Sequence, residues 1–406
     1  MELDREAIAE FLLLNYILGD RSFVKNKKTS IPIKVPKIEF HDNATTDDVE
    51  NALRNSIEKI TKNKGKIGVF LSGGKDARLL LALANSLKLD VTAITVGDIE
   101  NRDEEKTALK VTKTLKLPHK LVRLPDVISP NMVSEIGKVI DGTTQFSGIA
   151  PIYLIREEVS NDDFDIVLSG NLMTEIMDTC EFRWYDSKNP FEVMKRKHFQ
   201  GGELLKKEYR TIAEENFISR YKNKSLEEII LDTEFKDRSR AMFAISKLVD
   251  FSVVTPVADN EVINATFSLP VENRMNGRLV GDILKNSYPE LLRIRPSKTV
   301  FPLYFPWWIH YGIHRIKERY YFFKNNERIW AGKPRFYKMG MWDQGFIYKY
   351  KIGDYVKKSL ESFDFDMINK DFVKQVLRNH FAEKKDGTRY IPRLLTLKEW
   401  LDRNYT

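Results

Sequence analysis

KIGVFLSGGKDA, residues 66–77, carries the clearest structural signature in this chain of 406 residues. Its first half, residues 66–71, is a short apolar run typical of a strand buried on both faces of a sheet. Gly73 and Gly74 then allow the backbone to turn sharply, and the Ala- and Leu-rich residues 77–87 predict a helix. The segment therefore predicts a strand, a tight loop and a helix in direct succession.

Strands and helices alternate on either side of this segment. Before it, residues 46–61 place Val49, Leu53 and Ile57 at helical spacing. After it, the pattern predicts strands at 91–96, 120–124 and 164–168, with helices at 104–115 and 133–140. Such alternation is typical of a parallel sheet with helices on both faces. We therefore predict an α/β fold with a doubly wound parallel sheet, whose ligands lie at the carboxyl ends of the strands.

The pattern changes at about Asp178, after which it becomes helical and irregular. Residues 315–338, the basic aromatic segment, mix cationic and aromatic side chains, which could bind single-stranded nucleic acid. Packing is the favoured interpretation, because aromatic residues at helical spacing usually belong to a core. We divide the chain into an N-terminal linker-like segment (1–45), an α/β domain (46–300) and a mostly helical, basic and aromatic C-terminal region (301–406).

Composition narrows the class of protein. The single cysteine, Cys180, excludes an intramolecular disulfide and a metal site with several cysteines, which suits a reducing compartment. The N-terminal sequence lacks the basic head of a signal peptide, and the apolar run 301–313 is too short to span a membrane. The six histidines show no zinc-ligand spacing. We expect a cytoplasmic protein, whose net charge of +8 is compatible with an anionic partner.

The loop residues Ser72, Gly73, Gly74 and Asp76 suit the binding of a phosphate chain. Backbone N–H groups at a glycine turn and a helix N-terminus attract anions. A carboxylate at Asp76 would repel phosphate unless a divalent cation lies between them, so it implies Mg²⁺. We therefore predict ATP with Mg²⁺ as the ligand. The alternative is a plain tight turn in which the helix dipole favours Asp76. The pattern of a Walker loop, G-x-x-x-x-G-K-S/T, is absent from the sequence.

This loop resembles the S-G-G-x-D-S signature of the ATP-pyrophosphatases, which cleave ATP between its α and β phosphates. Further motifs narrow the resemblance to the synthetase domain of asparagine synthetases, and together they span nearly the whole chain in the family's order. They are AEFLLLNYILGDRSF near the N-terminus, D-E-x-x-x-A from Asp103, the strand end at 166–170, P-x-x-D at 256–259, R-P-x-K at 295–298, and LLTLKEWL near the C-terminus. The resemblance implies the ATP-pyrophosphatase (adenine nucleotide alpha hydrolase-like) type of fold.

The resemblance also implies which residues hold the nucleotide. Leu71 and Val96 would border the adenine and the ribose. Pyrophosphate and Mg²⁺ would be held by Ser72, Gly73, Gly74 and Asp76. Ser169 and Gly170 would close the nucleotide site from a neighbouring strand.

A late lysine, Lys298, matches the family lysine that offsets negative charge as the acyl-adenylate forms and reacts. Such a cation is effective when it is held in place in a site with little water. The spacing here is R-P-S-K, where the family more often has R-P-K, so the matching position could shift by one residue. An ordinary solvated lysine is the alternative.

Three positions depart from the family pattern. The serine after Asp76 is replaced by Ala77, and two acidic positions of the second loop are replaced by Asn171 and Thr174. Glu175 alone survives from that acidic group and is the predicted second catalytic residue. Glu175, or Asp178 one turn further on, is a candidate for the missing metal ligand. The alternative for Glu175 is an ordinary charge on the face of a helix.

The favoured hypothesis is an ATP-dependent ligase that adenylates a carboxylate, with aspartate the first candidate, and joins it to ammonia or an amine. Met1 is followed by Glu2, so the cysteine that begins a class II glutaminase is not found here, and no nucleophile and base surround Cys180. Nitrogen would then come from free ammonia, an amine or a separate glutaminase subunit. Two alternatives remain: an ATP-pyrophosphatase that modifies RNA, and a nucleotide-binding protein that has lost turnover.

Overall fold

A computed structural model describes residues 1–97, 102–125, 129–140, 142–179, 190–296, 352–382, 384–385 and 387–404, with short pieces between 309 and 334. Lys298, Cys180 and most of the basic aromatic segment lie outside the described residues. None of the helices that the structure describes is long and apolar enough to cross a membrane.

The centre of the fold is a five-stranded sheet in which every neighbouring pair of strands is parallel. Its strands are β1 (Lys66–Phe70), β2 (Asp90–Gly97), β3 (His119–Arg123), β4 (Ile166–Leu168) and β5 (Val253–Val254). The order across the sheet is β3-β2-β1-β4-β5. The chain therefore reverses its direction of winding between β1 and β4, which makes the crevice at their carboxyl ends the expected ligand site. A separate two-stranded antiparallel sheet follows later in the sequence and consists of β6 (Ile329–Trp330) and β7 (Lys333–Pro334).

Helices make up most of the remaining described structure. Up to β5 they are α1 (Arg5–Leu14), α2 (Thr46–Thr61), α3 (Lys75–Ser86), α4 (Arg102–Leu115), α5 (Asn131–Ile140), α6 (Ala150–Leu154), α7 (Met173–Met177), α8 (Pro190–His198), α9 (Lys207–Tyr221), α10 (Leu226–Ile230) and α11 (Arg240–Ala244). After β5 they are α12 (Asn260–Ser268), α13 (Val271–Arg274), α14 (Arg278–Ser287), α15 (Pro289–Leu292), α16 (Gly353–Glu361), α17 (Lys370–Phe381) and α18 (Ile391–Asn404).

The predicted alternation of strands and helices is confirmed from α2 to β4, with boundaries within two residues of those expected. Local chemistry explains the starts of the helices that flank β1. At α2 the Thr45 hydroxyl accepts from the N–H of Asp48, whose carboxylate accepts in turn from Thr45, so a capping box fixes the first turn. At α3 the N-cap is Gly74, which has no side chain to cap the turn. The N-terminal amides of α3 are therefore available to a ligand.

The first helix belongs to the core. Residues 7–14 of α1 are all buried, and α1 packs against α9 and α18. Arg393 of α18 donates to the carbonyls of Leu12 and Leu13 at 3.0 and 2.9 Å, and the N–H of Gly201 also donates to Leu13. These donors satisfy carbonyls that the end of a helix leaves unpaired. Within the expected linker-like segment 1–45, α1 is therefore packed into the core, and the division of the chain at residue 45 stays a prediction.

A π-helix at Leu231–Arg238 continues α10 and joins this core to the loop after α1. Its fully buried Asp237 accepts from the N–H of Gly19 at 3.1 Å and from Arg240 at 3.2 Å. Arg240 also reaches Asp20 at 3.0 Å. Burial raises the pKa of Asp237 to about 7, although Arg240 and Arg220 act in the opposite direction.

This raised pKa predicts a pH dependence of stability. Below about pH 4 Asp237 is protonated in both the folded and the unfolded chain, since an unperturbed Asp has a pKa near 3.9. Between about pH 4 and pH 7 the unfolded chain loses this proton first, so the free energy of unfolding should fall as the pH rises. Denaturant titrations across this range should show that slope, and Asp237→Asn should make it shallower. An identical slope in the variant would contradict this assignment.

Candidate active site

A cavity of about 370 Å³ opens at the carboxyl ends of β1, β2 and β4, at the crevice that the strand order predicts. Its volume lies in the range typical of small-molecule sites. The lining residues come from the loops after β1 and β4, from β2, and from the helices above them. They are Phe70, Leu71, Ser72, Gly74, Asp76, Ala77, Ile94, Val96, Glu104, Ile152, Ser169, Gly170, Asn171 and Thr174.

The first loop, after β1, is folded by its own serine. The Ser72 hydroxyl accepts from the N–H of Gly74 at 3.2 Å, and a Cβ at Gly74 would lie 3.2 Å from this same oxygen. The bond turns the chain directly into α3. The loop therefore presents the N-terminus of a helix to the cavity, and its dipole favours a negatively charged group there.

The second loop, after β4, contains the same kind of hydrogen bond between a serine hydroxyl and a backbone N–H. The Ser169 hydroxyl accepts from the N–H of Asn171 at 3.3 Å. A Cβ on Gly170 would lie 3.3 Å from the backbone nitrogen of Ala77, so glycine lets the two loops approach closely. Leu172 then takes a left-handed conformation, with φ of 67°, at the start of α7. A bulky residue is strained there, which places backbone strain between the lining residues Asn171 and Thr174.

Asp76 joins the two loops through hydrogen bonding. The Thr174 hydroxyl donates to Asp76 Oδ2 at 2.7 Å, and Lys75 Nζ lies 3.5 Å from Asp76 Oδ1. Among the described residues no group of three His, Cys, Asp or Glu side chains could hold a metal ion alone. Asp76 nevertheless fits Mg²⁺, which commonly takes only one or two protein carboxylates and completes its shell with substrate phosphates and water.

A buried ion pair lies beside Asp76. Lys75 Nζ is 2.9 Å from Asp178 Oδ2, and Asp178 also accepts from the N–H of Gly277. Burial raises the pKa of Asp178 to about 6, an effect that Lys75 and the Gly277 hydrogen bond partly offset. The pair links the first loop, the end of α7 and the turn before α14.

Most of the residues predicted to bind the nucleotide meet at this cavity. Its lining includes Leu71, Ser72, Gly74, Asp76, Val96, Ser169 and Gly170, while Gly73 lies in the same loop without lining it. Their roles stay predictions.

Two residues, Glu175 and Lys298, are predicted to be catalytic. Glu175 follows Thr174 on α7 but does not line the cavity. Burial raises the pKa of Glu175, and the neighbouring carboxylate of Glu234 adds to this effect. Lys298 is outside the described residues. Neither residue is therefore tested as a catalytic group.

Sequence analysis missed two residues that the site uses. Glu104 of α4 lines the cavity, although we noted it only as part of a family motif. Arg78, fully buried on α3 two residues after Asp76, donates to the carbonyls of Leu291 and Ile294 at 2.7 and 2.8 Å. Arg78 thus connects α3, which follows the first loop, to residues 291–294, a few residues before Lys298 in the sequence. The sequence does contain a signal for this role of Arg78, since a charged residue stands within the apolar run 77–87.

Comparison with curated proteins gives one relative in Methanocaldococcus jannaschii, provisionally named an asparagine synthetase (glutamine-hydrolysing). It is 27% identical over 232 residues, which cover 56% of this chain and 37% of the relative. The matched region thus spans little more than a third of the length of that protein.

Two solved structures match about half of this chain. They are the NMN synthetase of Francisella tularensis (15% identity, TM-score 0.25, 50% of this chain and 92% of that chain) and the NH3-dependent NAD synthetase of Campylobacter jejuni (19%, 0.27, 50% and 91%). Scores and identities this low support no functional inference.

A family model supplies the remaining comparison. The model for asparagine synthase matches residues 48–402, which takes in the sheet, both loops of the cavity and the C-terminal helices. The match also runs across the domain boundary that we predict at residue 300, which stays a prediction. Because the match covers most of its length, the chain belongs to the asparagine synthase family.

Proposed function

We propose that this protein uses Mg-ATP to adenylate a carboxylate and then transfers the acyl group to ammonia or an amine. The observation that carries the proposal is the pair of serine loops that meet at the cavity, with the Asp76 carboxylate in its wall. Membership of the asparagine synthase family supports an ATP-dependent ligase in general. The substrates, the nitrogen source, the Mg²⁺ ion and a cytoplasmic location are part of this proposal.

The chemistry divides into two displacements. In the first, a carboxylate oxygen attacks the α-phosphorus of ATP and pyrophosphate leaves. In the second, nitrogen attacks the acyl carbon and AMP leaves as a far better leaving group than the original oxygen. The amides at the start of α3 bind the phosphate chain, while Leu71, Ile94 and Val96 supply an apolar wall that excludes water from the adenosine.

Individual residues take separate tasks in this scheme. Asp76 would hold Mg²⁺, whose chemistry is to neutralise charge on the phosphates. Ser169 and Gly170 close the nucleotide side of the cavity. Lys298 offsets charge in the transition state, and Glu175 organises the charged groups around α7. Aspartate is the first carboxylate to test, although Asn171 and Thr174 change the wall where the family carries acidic residues.

Product analysis tests the proposal. With Mg-ATP, aspartate and ammonia we expect AMP and pyrophosphate, and no ADP. Asp76→Asn should lower AMP formation by at least roughly 10- to 100-fold, the loss that removal of even an outer metal partner causes. Asp364→Asn, which alters an exposed carboxylate paired with Lys370, is the matched control. Release of ADP and phosphate would contradict the mechanism, and glutamine in place of ammonia tests the nitrogen source.

A second candidate is a nucleotide-binding protein without turnover. It is favoured by one contact, the hydrogen bond from Thr174 that occupies one oxygen of Asp76. ATP binding that is measurable by calorimetry, with no AMP formed from a panel of carboxylates, would select this candidate.

A further inference from the structure

We call residues 72–76 the phosphate loop, and Lys75 is the only positively charged residue in its sequence. It is the first residue of α3, and its side chain is 22% exposed. Its ammonium group lies between two carboxylates, 2.9 Å from Asp178 and 3.5 Å from Asp76. Because Asp76 lines the cavity, the ammonium group stands directly behind the cavity wall.

The turn before α14 is shaped around this lysine. Gly277 has a left-handed φ of 70°, and a Cβ there would lie 2.9 Å from Lys75 Nζ and would collide with Cε. The N–H of Gly277 donates to Asp178, which fixes the carboxylate opposite the ammonium group. Three segments that are distant in the sequence are therefore arranged to hold one lysine head beside the loop.

Two roles are consistent with such an arrangement. In the first, Lys75 only neutralises Asp178, whose side chain is 5% exposed and would be costly to bury alone. In the second, Lys75 also serves the ligand, because a triphosphate carries several negative charges and a flexible lysine can turn from one anion to another. The position favours the second role. A purely structural partner for Asp178 has no need to lie 3.5 Å from a carboxylate of the cavity wall.

We propose that Lys75 binds the pyrophosphate portion of the nucleotide, and that Asp178 holds its ammonium group in place. On ligand binding the ammonium group, which has three N–H donors, keeps its contact with Asp178 and directs another donor to a phosphate oxygen. Lys75 is then a determinant of specificity for nucleotides that carry β and γ phosphates. This inference rests on the proposed function, since it assigns a further residue to the same site.

The cleanest test compares Asp178→Asn with the double variant Lys75→Met/Asp178→Asn. The two proteins differ only at Lys75, and neither retains a buried carboxylate without a partner, so both are expected to fold. Calorimetry should measure the affinity of each for inorganic pyrophosphate, ATP and AMP at a fixed Mg²⁺ concentration. Lys59→Met removes an exposed ion pair with Asp259 and is the control for loss of one positive charge.

We expect Asp178→Asn to bind pyrophosphate at least as tightly as the parent, because its lysine is released. The double variant should bind pyrophosphate and ATP about 10- to 100-fold more weakly, the usual effect of one hydrogen bond to a charged group. Its affinity for AMP should stay within about twofold.

Two results would overturn the inference alone: an unchanged pyrophosphate affinity in the double variant, or equal losses for AMP and pyrophosphate. A parent protein that binds neither AMP nor ATP would instead overturn the proposed function, and this inference with it.

Discussion

Replacing Lys298 with alanine should slow pyrophosphate release about 10²- to 10³-fold while ATP affinity stays nearly unchanged. The reason is that a fixed cation is most valuable where charge develops in the transition state, and removal of one such electrostatic contact typically has an effect of this size. Pre-steady-state measurement of pyrophosphate, together with calorimetric ATP binding, separates the two effects. A loss of ATP affinity equal to the loss of rate would instead assign Lys298 to ground-state binding.

The described segment before Lys298 is hydrogen-bonded to α3 and α4, two helices beside the cavity. Arg78 holds the carbonyls of Leu291 and Ile294, and the Thr107 hydroxyl donates to the carbonyl of Arg295 at 3.4 Å. Thr107 lies one turn along α4 from Glu104, which lines the cavity.

A matched control separates this effect from a general loss of positive charge. Lys285 is an exposed lysine on α14, and Lys285→Ala should leave both the rate and the ATP affinity unchanged. A Lys298→Ala protein that is as fast as the Lys285→Ala protein would exclude a catalytic role for Lys298.

The second large effect concerns stability. Gly201→Ala should lower the free energy of unfolding by about 2 to 3 kcal/mol, because a new methyl group would enter space already filled. A Cβ at Gly201 would collide with the carbonyl oxygen of Leu12 and with the guanidinium of Arg393. Both groups take part in the junction between α1 and α18, so the collision would break hydrogen bonds as well as packing.

Gly281→Ala is the control for this substitution. Gly281 lies within α14, and an added Cβ would have no neighbouring atom within 4 Å. Alanine should stabilise the helix there by about 0.5 to 1 kcal/mol. Urea denaturation of the two variants should therefore show shifts of opposite sign. Equal midpoints would mean that the junction at Gly201 can relax without loss.

The central sheet and the loop at residues 72–76 were predictable because both depend on local pattern. Apolar runs, helical spacing and glycine turns are properties of short segments, and they place β1 and α3 within two residues of their observed bounds. The burial of α1 was not predictable in the same way. Its partner α18 is nearly 380 residues away, and no periodicity within residues 5–14 specifies which surface will cover it.

The same distinction applies within the cavity. The resemblance directed attention to Glu175, yet Thr174 is the residue that contacts Asp76. Successive residues on a helix point about 100° apart, so the orientation of α7 decides which of the two faces the first loop. That orientation follows from the strained turn at Leu172 and from the packing of α7, which are features of the whole fold. The pairing of Lys75 with Asp178 likewise needs the turn at Gly277, 99 residues beyond Asp178.

The junction between α1 and α18 has a consequence for biosynthesis. Residues 391–404, which bind the terminal carbonyls of α1, are synthesised about 380 residues after residues 5–14. During translation the largely apolar surface of α1 must wait for part of its covering, a condition that exposes a nascent chain to aggregation. Completion of the core is thus delayed until α18 is free, and chaperones that bind hydrophobic segments would have a long opportunity to bind α1.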